Sequence, residues 1–352
     1  MENPLLYDVA HWIIHPIEDD CELTIRSSNG RHFSCEIDPS EFRQSPRVTK
    51  QYFKCLNTLR SHGEDPDSDS DSDDEFNVED ACNWLLNSFQ PLLAELATAS
   101  PQPEITTHPT LSQYLFAPYS MCALGATDDV LEPRQRDLTR FPPFRCDRVD
   151  MGDDFLKGLD QWTRSYHPDD VEISYDHSEH VLIRRPTRVA VKGPDGSKVP
   201  CFFKPVMITL GPEHAKREVL AHEQIAKAKI PPFPEALIGQ IRGVVHDGTF
   251  VFGISLDQID KKYELSRGLA KMSSALLKRR WADQISRSVG YLHERGIIWG
   301  DVKAGNVLID KNDDAWVIDF GGSYTPGWVD EEKAGPLEGD RQGMAKIMDI
   351  LG

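Results

Sequence analysis

The sequence predicts an α+β protein: a small mixed unit first, then an antiparallel sheet carrying one helix, a short connector and a helical remainder. Three observations predict it. Short runs of alternating apolar residues flank the turn signals Ser28-Asn29-Gly30, Gly193-Pro194-Asp195-Gly196 and Asp247-Gly248, the pattern of β-hairpins. Longer stretches with apolar residues three or four apart lie between and after them, as helices require. The composition, 352 residues with 39% hydrophobic and 27% charged, is that of a folded chain able to bury one large core or two smaller ones.

Residues 1–150 read as one mixed α/β region. Cys21 to Ile25 and His32 to Ile37 pair as a hairpin, and Val48 to Leu59 is helical. Val78 to Leu96 is a second helix, with Trp84, Leu85, Phe89, Leu92, Leu93 and Leu96 near helical spacing and a bend expected at Pro91. Between the helices, Glu64 to Glu75 holds eight acids, no base and no apolar residue except Pro66, so it cannot offset the entropy of ordering and is expected to be a mobile loop. Ser68, Ser70 and Ser72 within it suit acid-directed phosphorylation. Ser100 to Thr110, rich in Pro and Thr, reads as a linker. His11 and His15 are four apart, but Pro16 limits helix there and no third metal ligand is evident; Asp176-His177-Ser178-Glu179-His180 is read the same way.

Residues 151–352 form the second region. Val181 to Ile183, Arg188 to Val191 and Val199 to Lys204 are expected as strands, followed by a helix from Pro212 to about Lys229 that Pro231, Pro232 and Pro234 end. Gln240 to Val245 and Thr249 to Leu256 make a further hairpin, Asp257 to Asp260 a connector, and Ser274 to Arg295 a long amphipathic helix with Leu277, Trp281, Ile285, Val289 and Leu292 on one face and Gly296 as its C-cap. Val307 to Ile309 and Trp316 to Ile318 are short strands around a turn, and a last helix spans about Asp340 to Leu351.

The formal charge of −18 repels phosphate backbones and anionic membranes, and −10 remains when the eight clustered acids are set aside. Neither nucleic acid nor membrane is expected as a partner. No run of 18 apolar residues occurs, and Glu2 and Asp8 stand where a signal peptide carries bases. The seven cysteines are widely spaced with no CxxC pair, which suits reduced thiols in the cytoplasm or nucleus.

Chemistry concentrates after the long helix. Asp301, Lys303, Asn306 and Asp319 sit close together in sequence, in loops at the ends of the two short strands. Phosphoryl transfer needs such a set: a carboxylate to orient the attacking hydroxyl, a cation on the moving phosphate, and an amide oxygen with a second carboxylate to hold Mg²⁺.

These residues resemble the catalytic loop and DFG segment of the protein kinase superfamily, with Asp-x-Lys-x-x-Asn at Asp301, Lys303 and Asn306 and Asp-Phe-Gly at Asp319 to Gly321. The resemblance implies a two-lobed fold, with an N-lobe at about 171–256, the connector 257–260 and a short C-lobe at 261–352. It implies ATP and Mg²⁺ as cofactors, Asp301 and Lys303 as catalytic, and Asn306 and Asp319 as metal ligands. Lys204 would hold the nucleotide phosphates with Glu218 as its ion-pair partner, and Asp257 and Ile259 would meet the adenine edge. Glu223 competes with Glu218, but five positions turn it about 140° away around the helix, so Glu218 is favoured. Asp340 resembles the aspartate that braces the catalytic loop; a plain helix N-cap is the other reading.

Three departures qualify the likeness. No Gly-x-Gly-x-x-Gly loop precedes Lys204; Ser174 to Glu179 stands there instead. Trp299-Gly300-Asp301 replaces His-Arg-Asp, and a glycine before the aspartate resembles RIO-type, lipopolysaccharide-core-type and aminoglycoside-type kinases. No Ala-Pro-Glu motif is visible between Asp319 and Gly352. The resemblance covers roughly Val171 to Gly352, and the chain as a whole resembles fungal proteins with a kinase-like domain. The expected function is therefore an ATP/Mg²⁺-dependent phosphotransferase of Ser/Thr protein-kinase type acting on a hydroxyl. The alternatives are a small-molecule kinase or a pseudokinase scaffold, with a protein partner for the N-terminal region.

Overall fold

The structure, a computed structural model, describes residues 6–15, 17, 19–63, 76–98, 108–137, 146–175, 181–207, 212–321, 325–333 and 337–352. The acidic run 64–75, most of the expected linker and Asp176 to His180 lie outside the described residues. The chain divides into two compact units, Met1–Arg145 with Ile173–Pro186, and Cys146–Glu172 with Thr187–Gly352.

In the first unit, strands β1 (Tyr7–Ile14), β2 (Cys21–Ser27) and β3 (His32–Arg43) precede helices α1 (Pro46–Gly63), α2 (Val78–Thr98) and α3 (Leu111–Leu115) and strands β4 (Tyr119–Thr127) and β5 (Val130–Gln135). They form one sheet in the order β1-β2-β3-β4-β5. The expected hairpin is present, with Cys21 opposite Ile37 and Arg26 opposite His32. β3 and β4 are parallel, so α1 and α2 lie on a crossover connection. Alternation puts Leu23, Ile25, Phe33, Cys35 and Ile37 on one sheet face, and the stripe Tyr52, Leu56, Leu59 of α1 with Leu85, Phe89, Leu93 of α2 covers it. α2 continues through Pro91 as one helix.

Two expectations need correction. Val181 to Ile183 is a turn, not a strand, with Leu182 at φ 60° and its N–H donated to Tyr175 Oη at 2.8 Å. Leu182 and Ile183 are buried there, so the apolar run marked burial, which a turn can also provide. His11 lies in β1, so its spacing from His15 is not that of one helical face.

The second unit contains helix α4 (Asp153–Gly158), strands β6 (Ser165–Tyr166), β7 (Glu172–Ile173, of which Ile173 falls in the first unit), β8 (Arg188–Lys192) and β9 (Lys198–Pro205), and helix α5 (Pro212–Lys227). Strands β10 (Ile241–His246), β11 (Val251–Asp257) and β12 (Lys261–Glu264) follow, then helices α6 (Arg267–Met272) and α7 (Ala275–His293), strands β13 (Val307–Asp310) and β14 (Ala315–Val317), and helix α8 (Leu337–Leu351). The sheets run β6-β10-β11-β9-β8-β7 and β12-β13-β14. It is a mixed α+β architecture.

α7 begins where Ser274 caps it by accepting the Leu277 N–H. Its C-cap is Glu294, and Gly296, at φ 70°, lies two residues beyond it rather than at the cap. The buried face of α7 fixes the β13–β14 hairpin: Trp281 Nε1 donates to Asp313 O at 3.0 Å, and Gln284 Oε1 accepts from Ala315 N at 2.9 Å. Trp281, Ile285, Val289 and Leu292 share a core with Trp299, Val307, Ile309, Val317 and Phe320, so both loops at the hairpin's base rise from packed ground. Among the described residues, no helix is long and apolar enough to cross a membrane.

Candidate active site

The loop from Trp299 to Asn306 is held from below by Asp340. This residue is the fourth of α8, so it is not an N-cap, and it is only 1% exposed. Its carboxylate accepts from Trp299 N at 2.7 Å and Gly300 N at 2.9 Å, and meets His293 Nε2 at 2.8 Å. Three partners satisfy a buried charge that would otherwise be costly. Trp299, fully buried, ties the loop to the next motif by donating from Nε1 to Ile318 O at 2.8 Å, while its own carbonyl accepts from Gly321 N at 3.2 Å. Gly300 has φ 92°, which L side chains rarely adopt, so glycine precedes Asp301 for a conformational reason.

Asp301 is buried at the loop's top and bonded on both oxygens. Asn306 Nδ2 donates to its backbone O at 2.8 Å and to Oδ2 at 3.0 Å, Lys303 Nζ lies 3.0 Å from Oδ2, and Thr325 Oγ1 donates to Oδ1 at 2.7 Å. Lys303 also donates to Thr325 Oγ1 at 3.1 Å. Because its amide nitrogen faces Asp301, Asn306 turns its amide oxygen the other way.

On the sheet side, Lys204 and Phe202 project from the same face of β9, with Phe203 buried on the other. Lys204 Nζ makes an ion pair with Glu218 of α5 and donates to Asp319 Oδ1 at 2.6 Å. Burial pulls its pKa down, but Glu218 and Asp319 outweigh that and hold it above the usual lysine value. Burial raises Glu218, with Lys204 opposing. Glu223 turns away and pairs with Lys227 at 2.6 Å. Gly321 also needs to be glycine: at φ 77°, a Cβ there would lie 2.8 Å from the Arg217 carbonyl.

A cavity of about 520 Å³ is lined by Lys204, Asp319 and Phe320 and by Leu256, Asp257 and Ile259. The Asp257 carboxylate is paired with Arg242, and its N–H donates to Gln240 O at 2.8 Å. Thus Lys204, Glu218 and Asp319 are joined by ion pairs, Asp301, Lys303 and Asn306 by a hydrogen-bonded network, and Asp257 and Ile259 line the same cavity as Lys204 and Asp319. Sequence reasoning missed three residues. Thr325 lies beyond both motifs and carries no local signal. His222 lies one turn after Glu218, lines the cavity and meets Phe320 edge-on with centroids 5.6 Å apart; burial lowers its pKa to about 3, so it is neutral. Phe202 gave only the signal of a buried strand, yet is exposed on the cavity side.

Residues 241–326, about a quarter of the chain, match the family model of the protein kinase domain. Over these residues the chain is similar to the protein kinase domain. This match contains Asp301 to Asp319 but neither Lys204 nor Glu218. Two kinases show local similarity: a serine/threonine-protein kinase, kin-29, of Caenorhabditis elegans, 44% identical over 43 residues (12% of this chain, 5% of the relative), and a probable CTD kinase subunit alpha homolog of Encephalitozoon cuniculi (strain GB-M1), 36% identical over 77 residues (19% and 23%). The chain thus covers less than a quarter of either relative's length.

Proposed function

We propose that this kinase-like chain transfers the γ-phosphoryl group of ATP to a hydroxyl, as a Ser/Thr-type protein kinase does, with a two-lobed domain at 151–352 and a partner-binding region at 1–150. One observation carries the reading: Lys204 meets Asp319 across 115 residues of sequence, at a cavity whose Asp319 is tied through Trp299 to the Asp301 loop. An ion pair lining a cavity, between residues so far apart in the chain, is an arrangement typical of functional sites.

Mg²⁺ fits the donor set. Asn306 and Asp319 carry hard oxygens, and an ion held by these two would leave its remaining positions to water and phosphate, as Mg²⁺ prefers. Bound there, the ion would neutralise charge on the phosphates. Lys204, positioned by Glu218, binds the phosphate tail. Asp301 accepts the hydrogen bond of the incoming hydroxyl and orients it, and Lys303 balances negative charge at the moving phosphoryl group. Thr325, bonded to both, fixes their relative positions. The seven free thiols, six of them buried, suit a reducing compartment, cytoplasm or nucleus.

Thermal unfolding with and without Mg-ATP tests the binding half. Ligand at 100 times its dissociation constant adds about 2.7 kcal/mol, several degrees in Tm, and the shift should need Mg²⁺ and vanish in Asp319→Ala. Asp301→Ala should lower phosphoryl transfer at least about a hundredfold while keeping that shift. A parent protein without any shift would leave the scaffold reading standing.

A further inference from the structure

The stretch from Leu265 to Ala282 carries Arg267, Lys271, Lys278, Arg279 and Arg280 and no acid, in a chain whose formal charge of −18 would be −23 without these five. It spans α6 and α7, which are joined through Ser273 and Ser274 alone. Arg280 pairs with Asp314 at 2.5 Å. Among the described residues Arg267, Lys271 and Arg279 make no ion pair, although acids outnumber bases 57 to 39 in the chain, and all three are exposed. Neither helix has an acid in its first turn, where the macrodipole favours one; in α6 Arg267 stands there instead. Two large apolar side chains stand among the bases, Met272 at 83% exposed and Leu276 at 79%. Arg267 and Lys271 lie one helical turn apart, and so do Leu276 and Arg279, so that base and apolar group share the open side of α7. The cavity lining includes none of these residues.

We infer that the junction of α6 and α7 is a docking surface for an acidic polypeptide segment that carries apolar side chains, whatever ligand the cavity takes. Charge complementarity selects the acid: bases without an acid of their own chain attract carboxylates from another. Met272 and Leu276 would then leave water against the apolar side chains of the same segment. An anionic bilayer or a nucleic acid is an extended polyanion and would meet the acidic remainder of the chain as well. A short segment can lie along the junction alone, within a Debye length of about 8 Å of its bases.

Fluorescence anisotropy of the full chain with a labelled peptide of aspartates, glutamates and two leucines tests this. The comparison ligands are the same peptide with serines for leucines, phosphatidylserine vesicles and single-stranded DNA. The leucine-bearing peptide should bind most tightly, and less so as salt rises. Lys271→Glu with Arg279→Glu should weaken it about tenfold or more, and Met272→Ser with Leu276→Ser about fivefold, to the level of the leucine-free peptide. Arg47→Glu with Lys50→Glu, at exposed bases of α1, changes the net charge equally and should leave the affinity within about twofold. Because the four replaced junction residues are exposed, the thermal unfolding midpoint should stay in place, which checks that the variants fold. Failure of both peptides to bind would overturn the inference, as would an equal loss in the α1 variant. Tighter binding of vesicles or DNA, abolished by the charge reversals at Lys271 and Arg279, would overturn it in favour of a different partner.

Discussion

The two units differ in the buried ionisable groups they hold, although His222 of the second is neutralised by burial as those of the first are. In the first, Cys21, Cys35, Cys55, Tyr52 and His32 are buried between sheet and helices or against the sheet, and burial drives each toward its neutral form: Cys55 rises to about 11, Cys21 to about 12, and His32 falls to about 3. In the second, Lys204 and Glu218 are paired, Asp301 is bonded on both oxygens, and Asp340 has three polar partners. Neutralised groups serve packing. Groups given partners, around a cavity, are placed for chemistry. The contrast supports the site proposed in the second unit without reference to any relative, and it can be broken by experiment.

The largest effect is expected at Asp340. Asp340→Ala removes one carboxylate and leaves the buried N–H groups of Trp299 and Gly300 and the ring of His293 without their acceptor. A cost of about 3–5 kcal/mol follows in urea unfolding. Asp340→Asn keeps one acceptor oxygen and should lose less. A loss below about 1 kcal/mol in the alanine variant would mean that the loop does not depend on this brace.

Next comes the acid sensitivity of the first unit. His32, desolvated and further disfavoured as a cation by Arg26, has a folded pKa of about 3 against an ordinary 6.5. Between these values the unfolded chain binds a proton that the folded chain refuses. The stability this group contributes is therefore complete above pH 6.5 and is lost as pH falls toward 3, amounting to about 2 kcal/mol by pH 5. Hydrogen exchange of the β2–β3 amides at pH 5 and 7, in the parent and in His32→Leu, checks this: the variant should show the flatter dependence.

The paired charges of the second unit answer differently. Glu218→Gln keeps shape and removes one of the two carboxylates on Lys204, so it should weaken Mg-ATP binding about tenfold with little change in unfolding, as befits a positioning residue. An unfolding midpoint that drops as far as in Asp340→Ala would show that the pair serves the fold instead.

How much of this was legible depends on how local each feature is. The β2–β3 hairpin, α7 and the β13–β14 hairpin follow from turn residues and apolar periodicity over short stretches. The Asp301–Asp319 constellation follows because its members are near neighbours in the chain. β4 was not legible: Tyr119 to Thr127 is rich in Ala, Gly, Ser and Cys, carries one β-branched residue, and is a strand because β3 and β5 flank it. The turn at Leu182 and the hydroxyl of Thr325 likewise take their places from tertiary contacts. The exposure of Phe202 was not legible either, because a run of apolar residues does not say which of them faces a cavity.

The smallest effect separates backbone from side chain at the loop itself. Gly300 contributes to the brace only through its N–H, which any residue supplies, and its φ of 92° is what a side chain disturbs. Gly300→Ala should therefore cost about 1 kcal/mol in urea unfolding, well short of Asp340→Ala, because strain is added but no hydrogen bond is lost. The double variant should cost less than the two single losses together, since without the Asp340 carboxylate the loop is no longer held at that φ and can relax. Strict additivity would mean that another contact, such as the bridge between Gly300 and Phe320, sets the loop's conformation and that Asp340 only satisfies it.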